Sequence, residues 1–157
     1  MTLALYRIDD RLIHGQVVVG WGQPLNASFI VLVDDEVSSS DWEQDLYRMG
    51  VPPQIEVIFA SVDQAAGLLA AWEADARVGI LLVGDIDTAL ALARRAPQVR
   101  HFNVGGVHHR TGRRERLRFV YLTDEEAAKL RQLAAGGVDV TAQDVPTARA
   151  IPVGEFT

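Results

Sequence analysis

The run Phe29-Ile30-Val31-Leu32-Val33, followed directly by Asp34-Asp35, decides the fold. It has no polar alternation and ends abruptly, as expected of a strand in a sheet covered on both faces. Leu3 to Ile8, Ile55 to Phe59, Val78 to Val83, Arg100 to Val104, Arg118 to Leu122 and Val138 to Ala142 also read as strands. Helical segments alternate with them. Ser40 with Glu43, Ser61 with Gln64, and Thr123 with Glu126 have capping-box spacing, in which side chains satisfy the first free N–H groups of a helix. After Thr123, Ala127, Leu130 and Ala134 form one apolar stripe, and Gly136-Gly137 ends it. Strands alternating with helices imply crossover connections. The expected fold is α/β: a single domain over residues 1–157 with a doubly wound, mostly parallel open sheet of about seven strands and helices on both faces.

Composition sets limits on function. The chain has 157 residues, 48% hydrophobic and 23% charged, enough for one domain with a substantial core. No apolar run approaches the ~18–20 residues of a membrane span, and Met1 leads into a strand-like segment rather than a signal peptide, so the chain is expected to stay in the cytoplasm. The absence of cysteine excludes disulfides, thiolate catalysis and Cys-based zinc sites. A net charge of −6 argues against general nucleic-acid binding. Locally the sign reverses: Arg100, Arg110, Arg113, Arg114, Arg116 and Arg118 lie close together with His101, His108 and His109, and only Glu115 opposes them within that stretch. This stretch reads either as a solvated loop or as a surface that faces a phosphate or steers an acidic partner. The whole connection from Phe102 to Leu117 is read as a mobile loop and a binding element.

In a doubly wound sheet, function gathers beyond the carboxyl ends of the strands. That rule sets His14 on one rim with Asp34, Asp35, Ser61, Gly84, Asp85, Asn103, Gly105 and Gly106. His14 stands in Arg7-Ile8-Asp9-Asp10-Arg11-Leu12-Ile13-His14-Gly15-Gln16, where a strand gives way to a helix start expected at Leu12 to Gln16. A neutral imidazole is a nucleophile at neutral pH, and a phosphoryl group on it would need the positive charge of Arg11 and free N–H donors. Gly15 clears space beside the ring and Gln16 adds a neutral donor and acceptor. On these features alone, a phosphoryl-carrying histidine and an ordinary hydrogen-bonded one both remain open. Asp9 and Asp10 could orient His14 or serve as N-caps; Arg7, on the face of Asp9 by alternation, reads as its structural ion-pair partner.

Other chemistries fit less well. Asp34-Asp35 could hold Mg²⁺ in an aspartyl-phosphate receiver, but the only lysine, Lys129, lies inside the last helix. No P-loop or Gly-x-Ser-x-Gly elbow is present, and Gly20-Trp21-Gly22-Gln23-Pro24 fails as a dinucleotide fingerprint. Neighbouring histidines in an Arg-rich stretch make a poor metal site, so no metal and no cofactor is expected.

The string from Arg7 to Gln16 resembles the phosphorylation-site signature of enzyme IIB components of the mannose/fructose/sorbose family of the bacterial phosphotransferase system. The likeness continues through Val31-Leu32-Val33-Asp34-Asp35-Glu36, Asn103-Val104-Gly105-Gly106, Gly137-Val138-Asp139-Val140 and Gln143-Asp144-Val145-Pro146, nearly the whole chain. It implies a protein-N(pi)-phosphohistidine–sugar phosphotransferase subunit in which His14 takes a phosphoryl group on Nδ1 from a phosphohistidine of IIA. Arg11 would neutralise the charge, Asp10, Gly15, Gln16, Ser61, Asn103, Gly105 and Gly106 would line the site, and a sugar presented by membrane IIC and IID would be the final acceptor. The protein would then be cytoplasmic and peripheral to a membrane sugar transporter. A phosphorylation-dependent regulatory subunit uncoupled from transport would need the same histidine, and the sugar and any homo-oligomer are left open.

Overall fold

The computed structural model describes residues 3–157, so Met1 lies outside the described residues. The main sheet is built from β1 (Leu3–Ile8), β2 (Phe29–Val33), β3 (Glu56–Ala60), β4 (Gly79–Val83), β5 (His101–Val104), β8 (Asp139–Ala142) and β9 (Ile151–Pro152), in the order β3-β2-β4-β1-β5-β8-β9. All its pairings are parallel except the two-residue edge pairing of β8 with β9. Proline is tolerated there because an edge strand need not donate on its outer side.

Side-chain alternation along β2 sorts the core into two layers. Phe29, Val31 and Val33 join one apolar cluster, Ile30 and Leu32 the other, and all five are fully buried. The first cluster is covered by α4 (Val62–Glu73), α5 (Ile86–Arg95) and α6 (Asp124–Ala135). The second lies under α1, a π-helical run Gln16–Trp21 continuing as α-helical Gly22–Leu25, with α2 (Asp35–Ser38) and α3 (Asp41–Met49). Connections running toward the β3 edge therefore use one face and those returning toward β9 the other, as a single crossover hand requires. One consequence positions the site. The chain leaves β1 toward the α1 face, while both neighbours, β4 and β5, send their connections to the opposite face. A crevice opens at the end of β1.

Three expectations from the sequence are corrected. Arg118 to Leu122 is not a strand of the main sheet: Val120–Leu122 (β7) pairs antiparallel with Arg114–Leu117 (β6) in a separate hairpin, and β9 takes the seventh place. The Phe102 to Leu117 connection is accordingly not an open loop. It contains β6, and Val107, 3% exposed, bridges to Val120. The helix expected at Leu12 to Gln16 begins only at Gln16.

Of the three expected capping boxes, those of Ser61/Gln64 and Thr123/Glu126 form in full. Ser40 makes no side-chain cap bond. Its ψ is 100°, against 167° and 163° at the other two caps; here the chain enters α3 directly from α2. Thr123→Ala is therefore expected to destabilise the fold by about 1 kcal/mol in urea unfolding, and Ser40→Ala by less than about 0.5 kcal/mol; equal losses would contradict this account of the caps.

Candidate functional site

The site rests on Arg7, whose side chain is entirely buried. Its guanidinium donates to Asn103 Oδ1, to the carbonyl of Gln143 at 2.9 Å and to that of Asp144 at 3.2 Å. Asp9 Oδ2 lies 3.7 Å away, and the Trp21 ring lies beneath it with its centroid 4.8 Å from Cζ. Burial lowers the Arg7 pKa to about 10, opposed by the carboxylates of Asp9 and Asp144, so the group is charged at neutral pH. The expected Arg7–Asp9 ion pair is thus present, within a larger network. Gly105 makes room for it, since a Cβ there would stand inside the guanidinium.

Beyond β1 the chain turns sharply. Leu12 has φ +61°, a left-handed conformation that costs a non-glycine residue roughly 1–2 kcal/mol. The turn seats Leu12 against Gly84, where any Cβ would collide with it, and buries Ile13. It also folds His14 back over Asp9. His14 Nε2 lies 3.2 Å from Asp9 Oδ2, and the Gln16 backbone N–H donates to Nδ1 at 3.3 Å. The approach to Asp9 is close but poorly aligned for a hydrogen bond, so its hold on the ring is mainly electrostatic. Both neighbours favour one tautomer, since a carboxylate beside Nε2 favours a proton there and an N–H donating to Nδ1 favours a lone pair on that nitrogen. The side chain of His14 is 17% exposed. Burial works against ionisation of Asp9, yet its pKa falls below the usual 3.8, because His14, the Arg11 N–H and Arg7 together outweigh burial.

Arg11 is the open cation of the site, its side chain 45% exposed and held 2.6 Å from Gln16 Oε1. Gln16 Nε2 in turn donates to Asp144 Oδ1 at 2.9 Å, and Trp21 Nε1 to the Asp144 carbonyl at 3.2 Å. Residues five apart point in different directions on an α-helix at 100° per residue, but i→i+5 bonding brings them toward one face. The π-helical run thus lets Gln16 and Trp21 grip the same loop. Gly15 has ordinary helical angles, and a Cβ on it would meet nothing within 4 Å. Nothing among the described residues requires glycine there.

The remaining residues expected at the rim divide. Gly106 lies among Asp9, Arg11 and His108. Asp10 does not reach His14; it binds the N–H and ring of His108. Asn103 faces inward, clamped between Arg7 and Gln143, and Gly105 serves Arg7. Ser61 ends β3, three strand spacings from β1 or ~14 Å, and its hydroxyl caps α4. Asp34 and Asp35 accept from the N–H groups of Val37 and Val62 at helix starts, and no group of three His, Asp or Glu residues suited to a metal occurs among the described residues. Within the basic stretch Arg113 pairs with Glu126, and Arg114 and Arg116 share Asp124. Asp144, Gln143 and Trp21 were not expected at the site. The rim rule applied to the end of β8 would have found the first two.

A family model described as the sorbose-subfamily IIB component of the phosphotransferase system matches residues 3–156. The chain is 30% identical over 138 residues to the sorbose-specific EIIB component of Klebsiella pneumoniae, covering 88% of this chain and 84% of that protein. It is 30% identical over 151 residues to the mannose-specific EIIAB component of Escherichia coli K12, covering 94% of this chain and 46% of that longer protein. Its fold matches the crystal structure of the N-acetylgalactosamine-specific IIB component 1 of Escherichia coli with a TM-score of 0.85 at 29% identity, over 94% and 96% of the two chains.

Two outcomes follow from the geometry. Gly105→Ala should destabilise the protein by about 2 kcal/mol or more in urea unfolding by displacing a buried charge, whereas Gly15→Ala should leave stability equal or slightly higher. For Asp9 the folded-state pKa is depressed, so its contribution is fully present above the ordinary carboxylate value near 3.8 and is lost as pH falls through the lower folded value. Stability measured between pH 6 and pH 3 should fall less steeply in Asp9→Asn than in the parent; parallel curves would remove Asp9 from the acid response.

Proposed function

Because the chain belongs to the sorbose subfamily of IIB components, which serve phosphoryl transfer in sugar phosphotransferase systems, we propose that His14 carries the phosphoryl group on Nδ1. The observation that carries this reading is the orientation of the ring. Asp9 faces Nε2 from the protein side at 3.2 Å, and among the described residues Nδ1 is engaged only by the Gln16 N–H at 3.3 Å.

In the proposed step Nδ1 attacks the phosphorus of a phosphohistidine on a IIA partner. The new N–P bond forms as the donor's N–P bond breaks, and the electron pair returns to the donor imidazole. The proton on Nε2 stays against Asp9, whose negative charge offsets the positive charge that the ring acquires. Arg11 can turn from Gln16 Oε1 to the arriving phosphoryl oxygens, and the Gln16 N–H at the start of α1, 3.3 Å from Nδ1, lies beside the same charge. Space at Gly15 admits the donor. The phosphoryl group then passes to a sugar hydroxyl held by membrane IIC and IID components.

The mannose-specific EIIAB relative joins A and B components under one name, which supports a IIA donor. No helix among the described residues is long and apolar enough to cross a membrane, consistent with a cytoplasmic subunit docking on its transporter. Relatives of similar identity are named for sorbose, mannose and N-acetylgalactosamine, so resemblance does not select the sugar.

With IIA charged from phosphoenolpyruvate through the general phosphotransferase proteins, the parent should take up one label, His14→Ala none, and Arg11→Ala should fold normally but accept the label about 100-fold more slowly. Label on His14→Ala would overturn the site, and parental kinetics in Arg11→Ala would overturn the role of Arg11.

A further inference from the structure

A second imidazole stands at this site without a task in the transfer just described. The His108 N–H donates to Asp10 Oδ2 at 2.7 Å, and its ring Nδ1 lies 2.6 Å from Asp10 Oδ1, so one carboxylate grips both backbone and ring. Asp10 is 10% exposed and is itself held by Arg113, 3.9 Å away, which donates to the His108 carbonyl and forms a two-pronged pair with Glu126. Val107, the preceding residue, is fixed to the hairpin through Val120. The ring is therefore oriented at its base as firmly as that of His14.

Its free end faces the reacting histidine's surroundings. The His108 Cε1 atom lies 3.0 Å from where a Cβ of Gly106 would stand, and that same point is 3.6 Å from Arg11 Nη2 and 3.6 Å from Asp9 Oδ1. His108 and Arg11 thus border one hollow over Gly106, and the Asp9 carboxylate at its floor is the one that holds His14. Asp10 accepts only, so it retains a proton on His108 Nδ1. Nε2, next to Cε1 on a side chain 53% exposed, makes no hydrogen bond among the described residues. This is the arrangement of a carboxylate-held imidazole with its second nitrogen presented outward.

We propose that His108 is a phosphoryl-oxygen ligand of the charged protein: when His14 carries the phosphoryl group, His108 Nε2 takes a proton from solvent and donates it in a hydrogen bond to a phosphoryl oxygen, opposite Arg11. The ring becomes an imidazolium between the Asp10 carboxylate and the phosphoryl anion, with Arg113 neutralised by Glu126 behind it. Gly106 is glycine so that this hollow stays open. The inference rests on phosphorylation of His14 and deepens it by naming the group that shares the phosphoryl charge with Arg11.

The experiment is ³¹P and ¹⁵N NMR of the protein before and after charging by IIA, with the lifetime of the label followed in parallel for the parent, His108→Ala and His108→Gln. In the parent, the His108 Nε2 resonance should move from the unprotonated to the protonated range on charging. In His108→Ala the phosphohistidine ³¹P resonance should shift, hydrolysis should quicken several-fold and acceptance from IIA should slow about 10-fold. His108→Gln, which restores a neutral donor, should recover part of the lifetime. A labelled parent whose His108 Nε2 resonance does not move, or an alanine variant with parental ³¹P shift and lifetime, would overturn this inference alone. A parent that takes no label would overturn the phosphoryl-carrier reading and this one with it.

Discussion

The buried guanidinium of Arg7 is the constraint on which the site depends. A charge inside a protein must be matched by partners, because leaving it unmatched costs several kcal/mol. Here the partners come from separate parts of the chain: Asn103 from β5, the carbonyls of Gln143 and Asp144 from the loop after β8, Trp21 from α1, and Asp9 from the end of β1. Satisfying one side chain draws four segments together. It also positions Asp9, which could not remain ionised and buried without a cation at its back. The orientation of His14 is thus inherited from a residue it does not touch.

Two departures from regular backbone complete the arrangement. The left-handed Leu12 reverses the chain so that a residue five positions past Asp9 returns to it, and the packing of Leu12 on Gly84 holds the strained conformation. The π-helical start of α1 aligns Gln16 with Trp21, and both bind Asp144. Each irregularity carries a cost that surrounding contacts offset, and both flank the proposed acceptor.

The parts legible in the sequence are those governed by neighbours along the chain. Continuous apolar runs such as Phe29 to Val33 announced strands of a doubly covered sheet, and Ser61/Gln64 and Thr123/Glu126 announced helix starts, because burial on both faces and capping are local demands. Strand order is not local, so Ser61 and His14 could share a rim in one dimension and still be three strands apart. Val120 to Leu122 has strand composition, yet pairing with β6 rather than with the main sheet depends on where β5 ends and Val107 docks. Asn103 read as a rim residue because it is polar near a strand end, although its carboxamide is needed inside to match Arg7. The place of Asp144 in the site is not legible along the chain, because it comes from three donors, in Gln16, Trp21 and Arg7, that lie more than a hundred residues earlier.

Consecutive aspartates at the end of β1 show how the charges are divided. Asp9 points into the protein, toward Arg7 and His14, and Asp10 points outward, toward His108 and Arg113. Each carboxylate therefore holds one imidazole; Asp10 lies near the guanidinium of Arg113 and Asp9 near those of Arg7 and Arg11, and the two sets meet over Gly106. Arg7 is committed to Asn103 and two carbonyls and Arg113 to Glu126, so neither is free to answer a new negative charge. Arg11 is engaged more lightly, by a neutral amide oxygen and by Asp9 at 3.7 Å. Among the described residues, an anion arriving at His14 Nδ1 would thus find Arg11 able to turn toward it, while Arg7 and Arg113 stay with the partners they already have. In the proposed transfer such a site would take up and release the phosphoryl group without rearranging its supports.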